Sequence, residues 1–224
     1  MANYYSEKLS AERLRRVYEI APRRVRQYLD EEVSHMTKKI HSGDLVLEMG
    51  CGYGRILPAL AKKAKTIIGI DNSLSSLSLG KEILFPFSNC HLAQMNARQL
   101  AFSDKSFDTV VCIQNGISAF HIDQKKLIEE SIRITKRGGT ILFSSYSEKF
   151  WTHRMEWFQL QSAAGLLGEI DYDKTQNGMI VCKDGFTATT VGRDQFIALV
   201  SAFDVEAKIV EVDESSIFCE ITVH

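Results

Sequence analysis

The sequence predicts an α/β fold built on an open parallel sheet. Three observations carry that reading. From Leu45 onward, short apolar runs alternate with stretches of helical period, the pattern of strands joined by right-handed helical crossovers. One run, Thr66–Ile70, is apolar without interruption, as expected of a strand covered on both faces. A third run, Val46–Met49, breaks into the glycine turn Gly50-Cys51-Gly52-Tyr53-Gly54 before an apolar helical pattern resumes at Ile56, Leu57, Leu60 and Ala61. Glycines at such a turn let the backbone approach a ligand that a Cβ would block. In an open α/β sheet the turn lies at the carboxyl end of a strand, where ligands bind.

Composition sets the frame. The chain has 224 residues, 45% hydrophobic and 25% charged, which suits one soluble globular domain with an ample core. A formal net charge of −1 gives no global pull toward nucleic acid or an anionic membrane. Cys51, Cys90, Cys112, Cys182 and Cys219 are odd in number and form no C-x-x-C pair. That argues against a disulfide framework or a metal site, and for a reducing compartment. The start, M-A-N-Y-Y-S-E-K, lacks the apolar core of a signal peptide. No run approaches the roughly 20 apolar residues of a membrane span. A cytoplasmic location is expected.

Residues 1–42 read as helices outside the sheet. Leu14, Val17, Ala21, Val25, Leu29, Val33, Met36 and Ile40 recur every three or four residues, and Pro22 separates two helices. Nine basic and six acidic residues leave this arm at +3, with six arginines between 13 and 26. Two readings stay open: a solvated helix face, or an arm that meets an anionic partner. Tyr4 and Tyr5 likewise read either as a mobile lid or as a packed-down end.

The core follows over residues 44–146. Asp44–Met49 is strand one, Arg55–Lys63 a helix, Thr66–Ile70 strand two, and Ser73–Leu84 a helix with Ser73 as its N-cap. His91–Met95 is strand three and Phe107–Ile113 strand four. Asp123–Lys136 is a helix that opens on an acid and closes on Lys136-Arg137, as the helix dipole favours. Gly138-Gly139 turns the chain into strand five, Thr140–Ser145. Residues 147–192 form an insertion: a helical stretch at Glu148–Leu167, then a hairpin of Met179–Lys183 and Gly185–Val191 about Asp184-Gly185. The insertion is too short to hold its own core. Residues 193–224 supply a helix, Arg193–Phe203, and two strands, Val205–Val212 and Ile217–Val223.

The glycine spacing narrows the ligand. A dinucleotide loop is G-x-G-x-x-G, but Arg55 stands where its third glycine would be. No Lys-Ser/Thr follows, so the phosphate-binding P-loop is excluded as well. Asp71 ends strand two, placed to accept hydrogen bonds from both ribose hydroxyls of a nucleoside.

The ordered set resembles the class I S-adenosylmethionine-dependent methyltransferases. The resemblance runs over residues 44–146: Glu48-x-Gly50-x-Gly52-x-Gly54, then Asp71, then Met95-Asn96-Ala97-Arg98-Gln99-Leu100-Ala101-Phe102, then Ser103–Val111 entering strand four, then Lys136–Leu142. It departs from the family pattern at Asn96, where Asp is usual, and at Arg137, where proline is commoner. It implies a doubly wound, seven-stranded, mostly parallel sheet of order 3-2-1-4-5-7-6 with strand seven antiparallel. It implies S-adenosyl-L-methionine as cofactor and S-adenosyl-L-homocysteine as product. Glu48 would face the methionine amino group, and Gly50, Cys51, Gly52 and Gly54 would close over the nucleoside. Asp71 would take the ribose, with Asn72, Asn96 and Ala97 beside the adenine. Ile113, Gln114 and Asn115 would hold the methionine part, and Cys51 would be a packing residue.

In-line methyl transfer needs positioning and water exclusion, plus a base where the nucleophile carries a proton. No dedicated base stands out; His121, Tyr146 and His153 are the candidates. The acceptor pocket is expected from residues 1–42 and 147–192, whose aromatics suit a small molecule. An RNA or protein acceptor met by the arginine arm, and a non-catalytic cofactor-binding protein, are the alternatives. Nucleic acid is disfavoured because aromatic and basic residues are not interleaved.

Overall fold

The computed structural model describes residues 4–224, so the first three residues of the expected arm, Met1 to Asn3, lie outside it. The arm is helical: α1 (Tyr4–Glu7), α2 (Ala11–Glu19) and α3 (Arg23–Thr37). Pro22 stands at the N-cap of α3 with φ −59°, a position whose N–H would have no partner inside the helix. The chain then lays down β1 (Leu45–Met49), α4 (Leu57–Ala61), β2 (Thr66–Asp71), α5 (Leu74–Leu84), β3 (Cys90–Gln94) and β4 (Phe107–Cys112). After β4 come a single-turn helix α6 (Gly116–Ala119), α7 (Gln124–Ile134) and β5 (Thr135–Tyr146). Ser73 caps α5 by accepting from the Ser76 amide, and Asp123 caps α7 by accepting from Lys125 and Lys126, as N-cap oxygens do.

The insertion opens with a 3₁₀ turn at Glu148–Phe150, continues as α8 (Trp151–Ala163), and carries the short pair β6 (Ile180–Val181) and β7 (Thr187–Ala188). α9 (Arg193–Val200), β8 (Val205–Val212) and β9 (Ser216–Val223) close the chain. The main sheet runs β3-β2-β1-β4-β5-β9-β8, with β9 antiparallel to both neighbours. Numbered within that sheet alone, this is the expected order 3-2-1-4-5-7-6. The order reverses between β1 and β4, so a crevice opens at their carboxyl ends.

Three departures from the expected elements have local causes. α4 starts at Leu57 rather than Arg55, because the glycine loop carries its turns through Ile56, with Leu57 N bonded to Gly54 O. β5 begins at Thr135, ahead of the two glycines, and its ladder with β4 is irregular between Phe107 and Thr109. The hairpin ladder is only two residues long on each side. Beyond it Thr189 O accepts from Asn115 Nδ2 and Val191 N donates to Ser145 Oγ, at 2.8 Å each. The returning strand is thus spent on the end of the main sheet rather than on its own partner.

The arm and the insertion share one core. Val17, Val25, Tyr28, Phe150, Trp157, Phe158, Ile170, Ile180 and Phe186 are buried together there. Fully burying a large apolar side chain contributes about 1.5–3 kcal/mol, so this cluster fixes two segments distant in sequence. Polar stitches add direction. Trp157 Nε1 donates to Val17 O at 3.0 Å, and the Tyr4 hydroxyl donates to Asp184 at 2.6 Å. The arm's arginines are largely used inside the molecule. Arg13 bonds Gly165 O and Leu166 O, Arg24 bonds Asp213, and Arg26 bonds Ala21 O and Glu19 O. Arg15 and Arg16 pair with acids of their own helix.

Candidate functional site

The glycine loop is held against the tip of β2. Gly50, Gly52 and Gly54 take φ values of +75°, +55° and +78°, the left-handed region that side chains disfavour. Gly50 N and Cys51 N both donate to Ile70 O, and Gly54 N donates to Cys51 O. Asp71 completes the brace: Oδ2 accepts from Gly52 N at 2.9 Å and Oδ1 from Ser73 N at 2.8 Å. Burial pushes the Asp71 carboxyl above its usual range, while these backbone donors pull it down. A Cβ on Gly50 would lie 2.6 Å from the Phe120 ring, so the bare glycine lets that ring close on the loop.

Over this loop lies a cavity of about 760 Å³, within the roughly 300–1,000 Å³ typical of small-molecule sites. Glu48, Gly50, Cys51, Gly52, Asp71, Asn72, Asn96, Ala97, Ile113, Gln114, His121 and Tyr146 all line it. Three expected site residues do not. Gly54 faces away from it, and a Cβ there would meet Leu84 of α5 at 2.9 Å. Asn115 is turned into the structure, where its amide donates to Thr189 O and accepts from Ser145 Oγ. It fastens the insertion to the exit of β4. His153 is on the outer face of α8, its side chain 43% exposed and 3.9 Å from Glu156.

The remaining base candidates, His121 and Tyr146, line opposite parts of the cavity wall. His121 belongs to the wall that carries Asn96 and Arg98, where Arg98 Nη2 donates to His121 O. Tyr146 does border the arm and insertion, in a mutual three-ring cluster with Tyr28 and Phe150, with the Arg154 guanidinium 4.6 Å from its ring. Burial nevertheless raises its pKa far above 10, so it is a proton donor at neutral pH. Asn96 Oδ1 already accepts from Arg98 N, leaving one lone pair for a ligand. Cys51 is buried and its thiol is pushed well up by that burial, so it stays protonated and packs.

Several wall residues carry no mark of their own in the sequence: Tyr18, Tyr28, Arg55 and Phe120 line the cavity, together with Trp157 and Phe158 from the insertion, whose aromatics are expected there. Glu32 lies just behind it, 0% exposed. The Tyr28 and Ser144 hydroxyls and the Gln114 amide lie beside that carboxyl, yet neither of its oxygens completes a hydrogen bond. Burial therefore dominates and pushes Glu32 up to about 7. Glu48, 6% exposed, is pushed up to about 8 by burial, with Arg55 pulling it down and Asp71 raising it further. Glu32 had a detectable signal, since it interrupts the buried face Val25–Leu29–Met36 of α3. At the exit of β4, Gln114 and Asn115 are both left-handed, with φ of +55° and +63°. Such strain clusters at functional sites, and here Ser144 supports it through bonds to both backbone amides.

Comparison with known proteins agrees with this geometry. Residues 46–139 match the family model described as a methyltransferase domain. The sheet core is a methyltransferase domain with the class I S-adenosylmethionine-dependent methyltransferase fold. A ubiquinone biosynthesis O-methyltransferase of Histophilus somni is 22% identical over 187 residues, 75% of each chain. One of Pseudomonas fluorescens is 31% identical over 132 residues, 58% of this chain. The match spans about half of that relative, 53% of its length. Among solved structures, the N-methyltransferase NodS of Bradyrhizobium japonicum, in complex with S-adenosyl-L-homocysteine, has a TM-score of 0.62 at 16% identity. That match covers 96% of this chain and 98% of NodS.

The residues present fit the family's cofactor, S-adenosyl-L-methionine. The glycine loop offers a side-chain-free wall, Asp71 stands at the β2 tip, and the walls carry buried polar atoms without partners. These include Glu48 Oε2, Arg55 Nη2 and Gln114 Nε2. An unpaired buried polar group is costly, and a polar ligand in the cavity relieves it.

Proposed function

We propose that the protein transfers a methyl group from S-adenosyl-L-methionine to a small acceptor with substantial apolar or aromatic character. The observation that carries this is the continuity of one cavity from the glycine loop to the aromatic wall of Tyr18, Tyr28, Tyr146, Trp157 and Phe158. That wall comes from the arm and the insertion, the parts outside the cofactor fold. An enclosed aromatic pocket suits a small molecule. The arginines that would dock a nucleic acid or an acidic protein are instead bonded to the insertion, to Asp213 and to neighbouring acids. The names of the sequence relatives favour an oxygen acceptor.

When bound, the cofactor supplies an electrophilic sulfonium methyl. The chain's own contribution is to orient and to exclude water. Gly50 and Gly52 bring backbone close to the nucleoside, and Asp71 takes the ribose hydroxyls. Trp157, pinned to Val17 O, and Tyr18, whose hydroxyl donates to Gln114 Oε1 at 3.1 Å, close the pocket over the reacting groups. Tyr146 and Tyr28, kept protonated by burial, present hydroxyls to the acceptor. Where the acceptor carries a proton, Glu32 is the acid placed to receive it. It lies one helical turn beyond Tyr28 and titrates near neutral pH. The acceptor's proton passes to the Tyr28 oxygen as the Tyr28 proton passes to Glu32.

The test is label tracing. Protein is incubated with methyl-labelled cofactor and a cell extract, and the extract is then split into small-molecule, RNA and protein fractions. Label in a compound of the small-molecule fraction is expected. Label confined to RNA or protein would overturn the acceptor reading. Cofactor binding with no labelled product in any fraction would favour a non-catalytic role.

A further inference from the structure

Arg154 is a buried charge that neither the cofactor nor the fold accounts for. It stands on α8 and is 1% exposed. Its fork donates to Gly178 O at 2.6 Å and to Ala188 O at 3.1 Å, and its Nε is buried without a partner. Carbonyl oxygens satisfy hydrogen bonds but do not cancel a charge. No ion pair among the described residues includes Arg154. The titratable groups that act on it are Tyr146 of β5, Tyr5 of α1 and Tyr28 of α3. Burial raises the pKa of all three, so each is uncharged at neutral pH. A guanidinium does not escape by losing its proton. A buried charge without a counter-ion is costly, and a ligand anion beside it relieves that cost.

The same cation decides what the aromatic wall of the cavity attracts. Its guanidinium lies 4.6 Å from the Tyr146 ring and 5.4 Å from the Phe158 ring, and both rings line the cavity. Tyr18 carries the Arg55 guanidinium in the same way, at 4.6 Å. Three aromatics of the wall thus already spend an electron-rich face on a resident cation. An aromatic cage for an ammonium ligand needs such faces free. Here a cationic ligand meets two like charges set against the wall, and an anion meets attraction. The cavity's acids do not reverse this balance. Glu32 at about 7 and Glu48 at about 8 are less than fully ionised at neutral pH.

We propose that Arg154 sets the charge of the acceptor, so that this end of the cavity selects a ligand carrying an ionised oxygen acid (a phenolate, enolate or carboxylate) over an amine. The inference rests on the reading of this cavity as the acceptor pocket and adds to it the charge of the bound molecule. A phenol or enol releases its proton to Glu32 by way of Tyr28. The negative charge then passes from the Glu32 carboxylate to the bound oxygen, and Arg154 balances it there. Arg154 acts through the wall as a positioning residue and does not itself touch the ligand.

Two probes test this: 4-nitrophenol, whose ionised form is read by its visible absorbance, and phenethylamine, a cation of similar size. Bound to the wild-type protein, 4-nitrophenol should ionise at least about one pH unit below its value in free solution, the scale of one nearby opposite charge. By calorimetry, phenethylamine should bind at least about tenfold more weakly than the phenolate. Arg154→Gln should abolish the downward shift, whereas Arg154→Lys should keep it, although both lose the fork and the stack. Unchanged affinity for S-adenosyl-L-homocysteine reports that each variant is folded. An unshifted or raised ionisation in the wild type, tighter binding of the amine, or no saturable binding of 4-nitrophenol would overturn the proposal. So would a shift that survives in Arg154→Gln, or one lost equally in folded Arg154→Gln and Arg154→Lys, since Arg154 would then only tie the insertion together. The wild-type titration decides the charge preference whether or not a variant folds. Failure of the wild type to bind S-adenosyl-L-homocysteine would remove the cofactor reading and leave this titration untouched.

Discussion

Asp71 braces the glycine loop and, in the proposed function, takes the ribose; replacing it separates the two. Its carboxylate accepts from Gly52 N and Ser73 N, so Asp71→Ala removes two charge-assisted bonds that hold the loop and the start of α5. Each such bond is worth about 1.5–3 kcal/mol. The Gly52 amide borders the cavity, where water replaces part of its loss, so the net destabilisation should be about 2–4 kcal/mol. Asp71→Asn keeps one acceptor oxygen and should lose about half of that. The second task is the ribose. Two hydroxyl donors lost at about 1.5 kcal/mol each correspond to roughly 100-fold in affinity. Urea denaturation measures the first task and calorimetry with S-adenosyl-L-homocysteine the second. The expected result is a lowered midpoint together with an affinity loss of about two decades in Asp71→Ala, and smaller changes in Asp71→Asn. A lowered midpoint with unchanged affinity would refute the ribose role. Wild-type values in both assays would show that the loop is not braced as described.

Three other outcomes follow from the same geometry. Burial lifts the Glu32 and Glu48 carboxyls to about 7 and about 8, against 4.5 for a solvent-exposed carboxyl such as that of the unfolded chain. Between those values the folded protein holds protons that the unfolded chain has released, so stability should fall as pH rises from 5 to 8, by a few kcal/mol at most. Glu32→Gln and Glu48→Gln should each flatten that slope in thermal melts, and a slope of the opposite sign would refute both assignments. Arg154, 1% exposed, donates to Gly178 O and Ala188 O and stacks on Tyr146 and Phe158. Arg154→Lys keeps the buried charge but loses the fork and the stack, so a loss of about 2 kcal/mol in denaturation is expected. Trp157→Phe leaves Val17 O unpaired and should lower stability by about 1–2 kcal/mol while loosening the arm, read as faster proteolysis near residues 11–19.

The sheet was legible because its signals are local. Thr66–Ile70 announces a doubly covered strand, Ser73 and Asp123 announce helix starts, and the glycine spacing locates the loop. The order of the last two strands came through resemblance rather than from any residue. The loop was legible where one residue type is chemically required: the glycines for left-handed backbone, with Asp71 at the tip of β2 beside them. The rest of the site was illegible where function comes from the meeting of distant segments. The aromatics of the arm and the insertion suggest a pocket as a group, but nothing singles out Tyr18 or Tyr28 until the arm folds onto the insertion. Asn115 looked like a ligand-facing residue because its neighbours are; only the contact with Thr189 shows that its amide is already used. The left-handed pair Gln114-Asn115 carries no glycine, so the strained turn there left no compositional trace. For His121 and His153 the sequence offers only the residue type, and the fold sets one on the wall that carries Asn96 and Arg98 and the other on the surface.

Hydrogen exchange in the presence and absence of S-adenosyl-L-homocysteine tests most directly whether this cavity is the cofactor site. Amides in 48–56, 71–73, 95–98 and 113–118 should exchange more slowly with ligand, while β8 and β9 stay unchanged. Protection that avoids the glycine loop and the exit of β4, or no protection at all under saturating ligand, would contradict the account.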